Sequence, residues 1–201
     1  GNIYSKQCFY NAVNLAINSG ERIGEIFGTR WDNINFETNT VRVESTLSST
    51  SYSGMVLSDP KTSSSCRTIQ LPTMVMDDLR KWKEIQRLYS AKIGDLFNNQ
   101  HNLVFTNCFG KAVSFTNFYK RYWTLLAKAA NLPDGFTFHG LRHTHATLLL
   151  KHGVNIKVVS ERLGHSSTSV TMNIYAHCLP DMQETAILEL EKMFKGENKN
   201  D

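Results

Sequence analysis

The chain has 201 residues, of which 41% are hydrophobic and 20% charged, a composition typical of a globular protein with one buried core. No apolar run approaches the roughly 20 residues of a membrane span, and no secretory leader pattern is visible, so we expect a cytoplasmic protein without membrane partners. The net charge of +4 is compatible with a nucleic-acid partner but does not require one. The four cysteines are scattered, with no C-x-x-C pair, which is typical of free thiols in a reducing compartment.

The first part of the chain predicts two helices followed by a small antiparallel sheet. Apolar spacing favours a helix over 6–18 and a shorter one over 22–28. Alternating apolar residues on either side of a turn predict a β-hairpin over 34–43, and 66–72 predict a third strand. Between them, residues 48–66 contain ten serines or threonines, and we expect a mobile loop there.

The rest of the chain is predominantly helical in its pattern. Helices are predicted over 74–92, 114–130, 139–152, 155–162, 167–175 and 181–195. The predicted fold class is therefore α+β, mainly helical, with a small three-stranded antiparallel sheet. We expect residues 1–195 to form a single domain and 196–201 a disordered tail, and we expect a further N-terminal portion to precede the helix that starts almost at the first residue.

His139 and Arg142 are three residues apart at the start of a predicted helix, so their side chains share a face. An arginine offers a planar fork of donors that fits two phosphate oxygens, and a neighbouring histidine can move a proton near neutral pH. The helix N-terminus adds positive potential toward an anion. Either residue alone is more often an ordinary surface residue, so the pair is a phosphate-site hypothesis that needs support elsewhere.

Two further polar residues follow within the next helices. His165 stands in a tight turn after Gly164, where it either points into a cleft or satisfies backbone carbonyls. Tyr175 lies near the end of the following helix. A phenol with a pKa of ~10 is a poor nucleophile unless cations stabilise the phenolate or a base takes its proton. A single tyrosine is usually a packing residue, and only the neighbouring cations make this one a candidate nucleophile.

The early part of the chain contributes two more cations. Arg22 follows a helix-ending glycine, and Glu25 is placed to brace it from the same helical face. Lys61 lies in the Ser/Thr-rich loop, from which a lysine can reach and protonate a leaving oxygen. Taken separately, both cations would be ordinary surface charges.

The conjunction of these motifs resembles the catalytic domain of tyrosine recombinases, the integrases of phages and conjugative transposons. The matching stretches are SGERIGEIFGTRWDNINFE, PKTSSSCRTIQLP and FTFHGLRHTHATLLLKHGVNIKVVSERLGHSSTSVTMNIYAH, and the resemblance spans 6–195. It implies a DNA breaking-rejoining enzyme fold in a single catalytic domain, with N-terminal DNA-binding domains outside this chain. It also implies site-specific recombination through a covalent 3′-phosphotyrosyl intermediate.

The resemblance assigns the central roles as follows. Arg22 and Arg142 clamp the non-bridging oxygens of the scissile phosphate. His139 accepts and returns the proton of Tyr175, which forms the bond to phosphorus. These assignments agree with the residue-level argument, because positive charge is placed where negative charge develops in the transition state.

It assigns supporting roles to three others. Lys61 protonates the departing 5′ oxygen, His165 stabilises the transition state and Glu25 supports the turn at Arg22. The chain departs from the family pattern at Glu21, where an apolar or small residue is usual. That carboxylate would either alter the local charge or point outward.

Three alternative functions compete with this interpretation. His139 and His143 have the spacing of metal ligands, but the H-E-x-x-H pattern needs a glutamate where Gly140 stands, so no metal or cofactor is predicted. A non-catalytic DNA-binding module would have no need of Tyr175 beside two histidines. A type IB topoisomerase would use nearly the same chemistry. The expected partners are double-stranded DNA and other protomers, in a tetramer assembled on DNA through the helix at 181–195.

Overall fold

Helices form most of the computed structural model, which describes residues 3–50, 54–58, 66–176 and 182–194. The helices are α1 (Ile3–Ser19), α2 (Ile23–Gly28), α3 (Thr73–Ile93), α4 (Phe115–Phe118), α5 (Thr124–Ala129), α6 (Phe138–Lys151), α7 (Ile156–Leu163), α8 (Thr168–Tyr175) and α9 (Met182–Phe194). In this part of the chain, no helix combines the length and apolarity needed to cross a membrane. The predicted tail at 196–201 lies outside the described residues.

A three-stranded antiparallel sheet is present as predicted. Its strands are β1 (Ile34–Asn35), β2 (Thr40–Val43) and β5 (Arg67–Gln70), with β2 in the centre. Val41 pairs with Ile34 on one side and with Ile69 on the other, and all three side chains are buried. The alternation of buried and exposed residues that predicted these strands thus reflects one face packed on the core.

The prediction of a mobile loop over 48–66 is wrong for its first part, which forms a second β-hairpin. Strands β3 (Thr46–Thr50) and β4 (Gly54–Ser58) pair in antiparallel register. Leu47 is buried and Leu57 half-buried against the core, while serines and threonines occupy much of the remaining hairpin. The high Ser/Thr content hid the few apolar side chains that pack on the core. Threonine also favours strands, so a hairpin with this composition can form.

An aromatic core joins the first helices to the rest of the domain. Phe27 on α2 is fully buried and lies among five other phenylalanine rings, namely Phe9, Phe105, Phe115, Phe118 and Phe138. Helix α1 packs against α2, α3 and α6, so this core is shared by elements from both ends of the chain. Such rings dominate core energetics because each removes a large apolar area from water.

The helical segment predicted at 114–130 contains a π-helical turn at Tyr119–Trp123, between α4 and α5. Ser114 caps its start by accepting from the Asn117 amide. Phe118 and Trp123, at the two ends of the wide turn, both make edge-on ring contacts with Phe138. These contacts fix the first turn of α6, on which the candidate site is built.

A second, smaller apolar cluster lies among α6, α7 and α8. Its buried members are Ala146, Leu150, Val159, Leu163 and Tyr175. The last helix, α9, falls where a helix was predicted at 181–195. Its described apolar side chains are solvent-exposed, namely Ile187, Leu188, Leu190, Met193 and Phe194.

Candidate active site

Arg142 is the buried centre of the candidate site. The residue is 3% exposed, and its guanidinium donates from Nη1 to the Gly20 carbonyl and from Nη2 to the Leu163 carbonyl, both at 2.7 Å. Burial, and then the charge of nearby Arg22, lower its pKa to about 10. Because the two carbonyls lie at the ends of α1 and α7, a single side chain on α6 joins three helices.

The two turns that Arg142 joins both require glycine. Gly20 and Gly164 adopt left-handed backbone angles, with φ of +70° and +65°. A side chain at Gly20 would lie 2.7 Å from the ring of His145, and one at Gly164 would lie 2.9 Å from Nη1 of Arg67. The glycines therefore allow the His145 ring and the Arg67 guanidinium to approach the backbone closely.

Glu25 braces two arginines, as the sequence predicted for one of them. Its carboxylate accepts from the Arg22 amide at 2.8 Å and from Arg22 Nη1 at 2.9 Å, which caps α2. It also binds Arg67, with 2.8 Å between Oε2 and Nη2. Burial opposes the charged form, but the hydrogen bond and charge of Arg67, with Arg22, hold the pKa of Glu25 below its ordinary value.

Arg67 was missed as a site residue by the sequence analysis. It begins β5, its side chain is 8% exposed, and besides the Glu25 pair it donates from Nε to the Arg162 carbonyl at 2.6 Å. The available signal was a cation at the start of a strand, directly after the loop that contains Lys61. Its partner Glu25 is distant in sequence, so only the tertiary fold shows the pairing.

Glu21 points inward. The residue is 2% exposed, and neither carboxylate oxygen has a hydrogen-bond partner among the described residues. Burial raises its pKa to about 7, opposed by the positive charges of Arg67 and Arg142. Of the two alternatives left open by the sequence, the structure therefore favours an effect on local charge.

His139 and His165 lie in the field of the same arginines. Burial, then His143, Arg142 and Arg22, lower the pKa of His139. His165 shares a hydrogen bond between Nδ1 and the Thr171 hydroxyl at 2.8 Å, and burial, followed by Arg142 and Arg22, lowers its pKa to about 4. The imidazole of His165 is therefore neutral at neutral pH, with one ring nitrogen a hydrogen-bond donor and the other an acceptor.

Tyr175 is buried at the end of α8, with 2% of its surface exposed. Its hydroxyl lies 2.9 Å from Nδ1 of His143, and it is near enough to Arg142 to influence the pKa of that guanidinium. The ring of His143 in turn contacts that of His139 at 4.8 Å between centroids. His143 is a second residue that the sequence analysis did not place in the site, although its position one helical turn after His139 was a usable signal.

The structure thus gathers most of the predicted residues and leaves one undetermined. Those brought together are Arg22, Glu25, His139, Arg142, His165 and Tyr175. Lys61 lies outside the described residues. Within the described ranges, no three His, Cys, Asp or Glu side chains are grouped to hold a metal ion.

Comparison with known proteins relates this arrangement to DNA recombination. The family model described as "Phage integrase family" matches residues 4–182. A tyrosine recombinase XerC-like protein of Caldanaerobacter subterraneus is 34% identical over 190 residues, covering 90% of this chain and 48% of the relative. The ICEBs1 integrase of Bacillus subtilis is 25% identical over 186 residues, covering 92% of this chain and 49% of the relative. The chain spans about half the length of these curated relatives.

A solved structure of an integrase shares the fold of this chain. The Tn1549 transposon integrase, in complex with circular intermediate DNA, superposes with a TM-score of 0.74 at 25% identity, covering 92% of this chain and 60% of that one. The family match and the shared fold agree. The chain therefore belongs to the phage integrase family and is a homologue of the tyrosine recombinases.

Proposed function

We propose that this chain is the catalytic part of a site-specific DNA recombinase that breaks and rejoins strands through Tyr175. The observation that carries the proposal is the 2.9 Å hydrogen bond between the Tyr175 hydroxyl and His143, in a cluster that also contains Arg142. A phenol becomes a competent nucleophile when a base takes its proton and cations stabilise the charge that develops. Family membership and the DNA-bound Tn1549 neighbour support the same reaction.

The scissile phosphate is proposed to bind at Arg22 and Arg142. A guanidinium carries five N–H donors, and the two backbone carbonyls occupy only two of those on Arg142. The side chain of Arg22 is 43% exposed, so it is accessible to a phosphate that arrives from solvent. Glu25 holds Arg22 in place, which lowers the entropy lost when the phosphate is bound.

In the proposed cleavage step the Tyr175 oxygen attacks phosphorus and the bond to the 5′ oxygen breaks. The phenol proton passes to His143, and His139 is the second base of the same site. The departing 5′ oxygen takes its proton from Lys61, and neutral His165 donates a hydrogen bond to the phosphate oxygens. Because the phosphodiester energy is kept in the bond to tyrosine, a 5′ hydroxyl from a second strand can reverse the step.

The proposed partners are two double-stranded DNA sites and further copies of the chain, acting in the cytoplasm. The described apolar side chains of α9, such as Ile187, Leu188 and Leu190, are exposed and offer a surface for a neighbouring protomer. An assembly of four protomers through α9 is the arrangement we propose on DNA.

The test is covalent capture on a suicide DNA substrate. A nick close to the cleavage site lets the short fragment that carries the new 5′ hydroxyl diffuse away, so the strand cannot be rejoined. The wild-type chain is expected to form a protein–DNA adduct that resists denaturation, maps to Tyr175 and persists in EDTA. Tyr175→Phe should form none while binding DNA nearly as well, and Tyr10→Phe, which alters a tyrosine that is 62% exposed, should react like the wild type.

Three outcomes would count against the proposal. Equal adduct formation by Tyr175→Phe would show that Tyr175 is not the nucleophile. Activity lost in EDTA and restored by zinc would favour metal-dependent hydrolysis. Plasmid relaxation without exchange between two sites would favour a topoisomerase.

A further inference from the structure

We propose that Glu21 is an internal counter-ion of the arginine cluster and takes up a proton when a DNA phosphate binds there. The inference rests on the proposed function for the identity of the anion. It concerns a residue that the cleavage chemistry does not use. Its basis is a buried carboxylate that has no hydrogen-bond partner among the described residues and follows Gly20, to which Arg142 donates, and precedes Arg22.

The position of Glu21 couples it to both phosphate-binding arginines. Its backbone lies between Gly20, whose carbonyl accepts from Arg142, and Arg22, which caps α2. Its side chain is 2% exposed, and both oxygens lack a hydrogen-bond partner within the described part of the chain. Buried carboxylates are normally hydrogen-bonded, whereas the charged form of this one depends mainly on the charges of the nearby arginines and on the Ser19 hydroxyl.

The groups that act on Glu21 come from the elements around it. Burial is the largest influence and disfavours its charged form, as does the neighbouring carboxylate of Glu25, whereas Arg67 on β5 and, less strongly, Arg142 on α6 favour it. The Ser19 hydroxyl, on α1, also favours the charged form and accepts from the Glu21 amide at 3.2 Å. Burial outweighs the favourable charges, so the pKa of Glu21 is raised to about 7 and both protonation states are accessible near neutral pH.

A bound phosphate shifts this balance in one direction. Without it, three arginines and Glu25 leave the cluster with a surplus of positive charge, which an ionised Glu21 reduces. A phosphodiester brings a negative charge of its own, so the ionised carboxylate becomes repulsive and its protonated form is favoured. The bound state then holds more protons than the free state, and affinity must fall as pH rises through about 7.

The histidines of the site also change protonation when a phosphate binds, but at lower pH than Glu21. The pKa values of His139, His143 and His165 are all lowered from 6.5. Their contribution to the pH dependence of binding is therefore concentrated on the acid side. A variant at Glu21 separates the two contributions because it leaves the histidines in place.

The experiment compares DNA affinity in a Tyr175→Phe background, using a short fluorescent duplex at constant ionic strength, at about pH 6 and about pH 8.5. In the Glu21→Gln variant the side chain is neutral at every pH and has nearly the same shape as glutamate. We expect it to bind about tenfold more tightly than its parent at the higher pH, corresponding to about one pKa unit of linkage, and equally at the lower pH. Glu37→Gln, which removes a carboxylate from an exposed turn, should follow the parent at both values.

Identical pH profiles for Glu21→Gln and its parent would overturn the proposal, as would an equal gain in Glu37→Gln. If Glu21→Gln does not fold, calorimetric titration of the parent in two buffers of different ionisation enthalpy gives the proton uptake directly. Uptake centred above pH 7 supports the proposal, and its absence there overturns it. Since binding is measured without cleavage, failure to form an adduct would defeat only the recombinase assignment.

Discussion

The domain has two apolar regions of different size, and the proposed catalytic groups are divided between them. The larger one, around Phe27 and its neighbouring rings, supports α2 and the start of α6, and with them Arg22 and Glu25. The smaller one contains five buried residues from α6, α7 and α8, and Tyr175 is one of them. Arg142 links the two regions, because it donates to carbonyls at the ends of α1 and α7.

This difference indicates that the proposed phosphate-binding groups are more rigidly held than the proposed nucleophile. Local opening is cheapest where few apolar contacts hold an element. Tyr175 is 2% exposed, so its hydroxyl is covered in this structure and a DNA phosphate would need it to become accessible. We infer that α8 shifts on DNA binding while the arginine cluster keeps its arrangement.

The largest effect is expected in the main core. Phe27→Ala removes a fully buried ring and should lower the free energy of unfolding by about 4 kcal/mol, because the surrounding aromatic residues cannot close the cavity. Urea denaturation measures this loss in the free energy of unfolding. Amide hydrogen exchange should also accelerate throughout the domain. Phe109→Ala, at a ring that is 52% exposed, should change the stability by less than ~0.5 kcal/mol. A similarly small effect at Phe27 would show that the two regions do not differ as described.

The next largest loss of stability is expected in the arginine cluster around Glu25. Glu25→Gln leaves Arg67 and Arg22 without the carboxylate that pairs with them directly and should lower the free energy of unfolding by about 3 kcal/mol, as for a buried ion pair deprived of one partner. Since the pKa of Glu25 is lowered by folding, its contribution is present above about pH 4.5 and is lost as pH falls through the folded-state value. Denaturation midpoints measured from neutral to acid pH should therefore converge for the variant and the wild type.

The matched control for that substitution is Glu84→Gln, which breaks a surface pair with Arg87 on α3. We expect no measurable change in its denaturation midpoint, because exposed pairs are screened by solvent. Equal losses at Glu25 and Glu84 would mean that the buried cluster does not hold α2 and β5 together.

The smallest effect is expected in the small cluster. Leu150→Ala should lower stability by about 2 kcal/mol, since α8 can partly close over the space. Amide exchange should accelerate mainly in α7 and α8, with the protection of α1 and α3 retained. Leu148→Ala on the same helix, at a side chain that is 49% exposed, is the control and should leave exchange unchanged. Uniform acceleration in Leu150→Ala would contradict the division into two regions.

The comparison also explains which predictions from the sequence succeeded. Helix positions and the three-stranded sheet followed from local periodicity, because one buried face imposes a repeat that can be read along the chain. The hairpin at Thr46–Ser58 did not, because serines and threonines outnumber the few side chains that bury. The π-helical turn at Tyr119–Trp123 likewise depends on ring contacts with Phe138, a residue from another helix.

For the site, the sequence alone determined the kinds of groups and their order, since Arg22, His139, Arg142, His165 and Tyr175 stand in motifs with local meaning. The tertiary structure alone decided which groups meet: Arg67 with Glu25, and His143 with Tyr175. It also decided that the carboxylate of Glu21 is buried and lacks a hydrogen-bond partner among the described residues. The physical reason is that burial and pairing depend on elements distant along the chain, whereas helix faces and turns depend on neighbours.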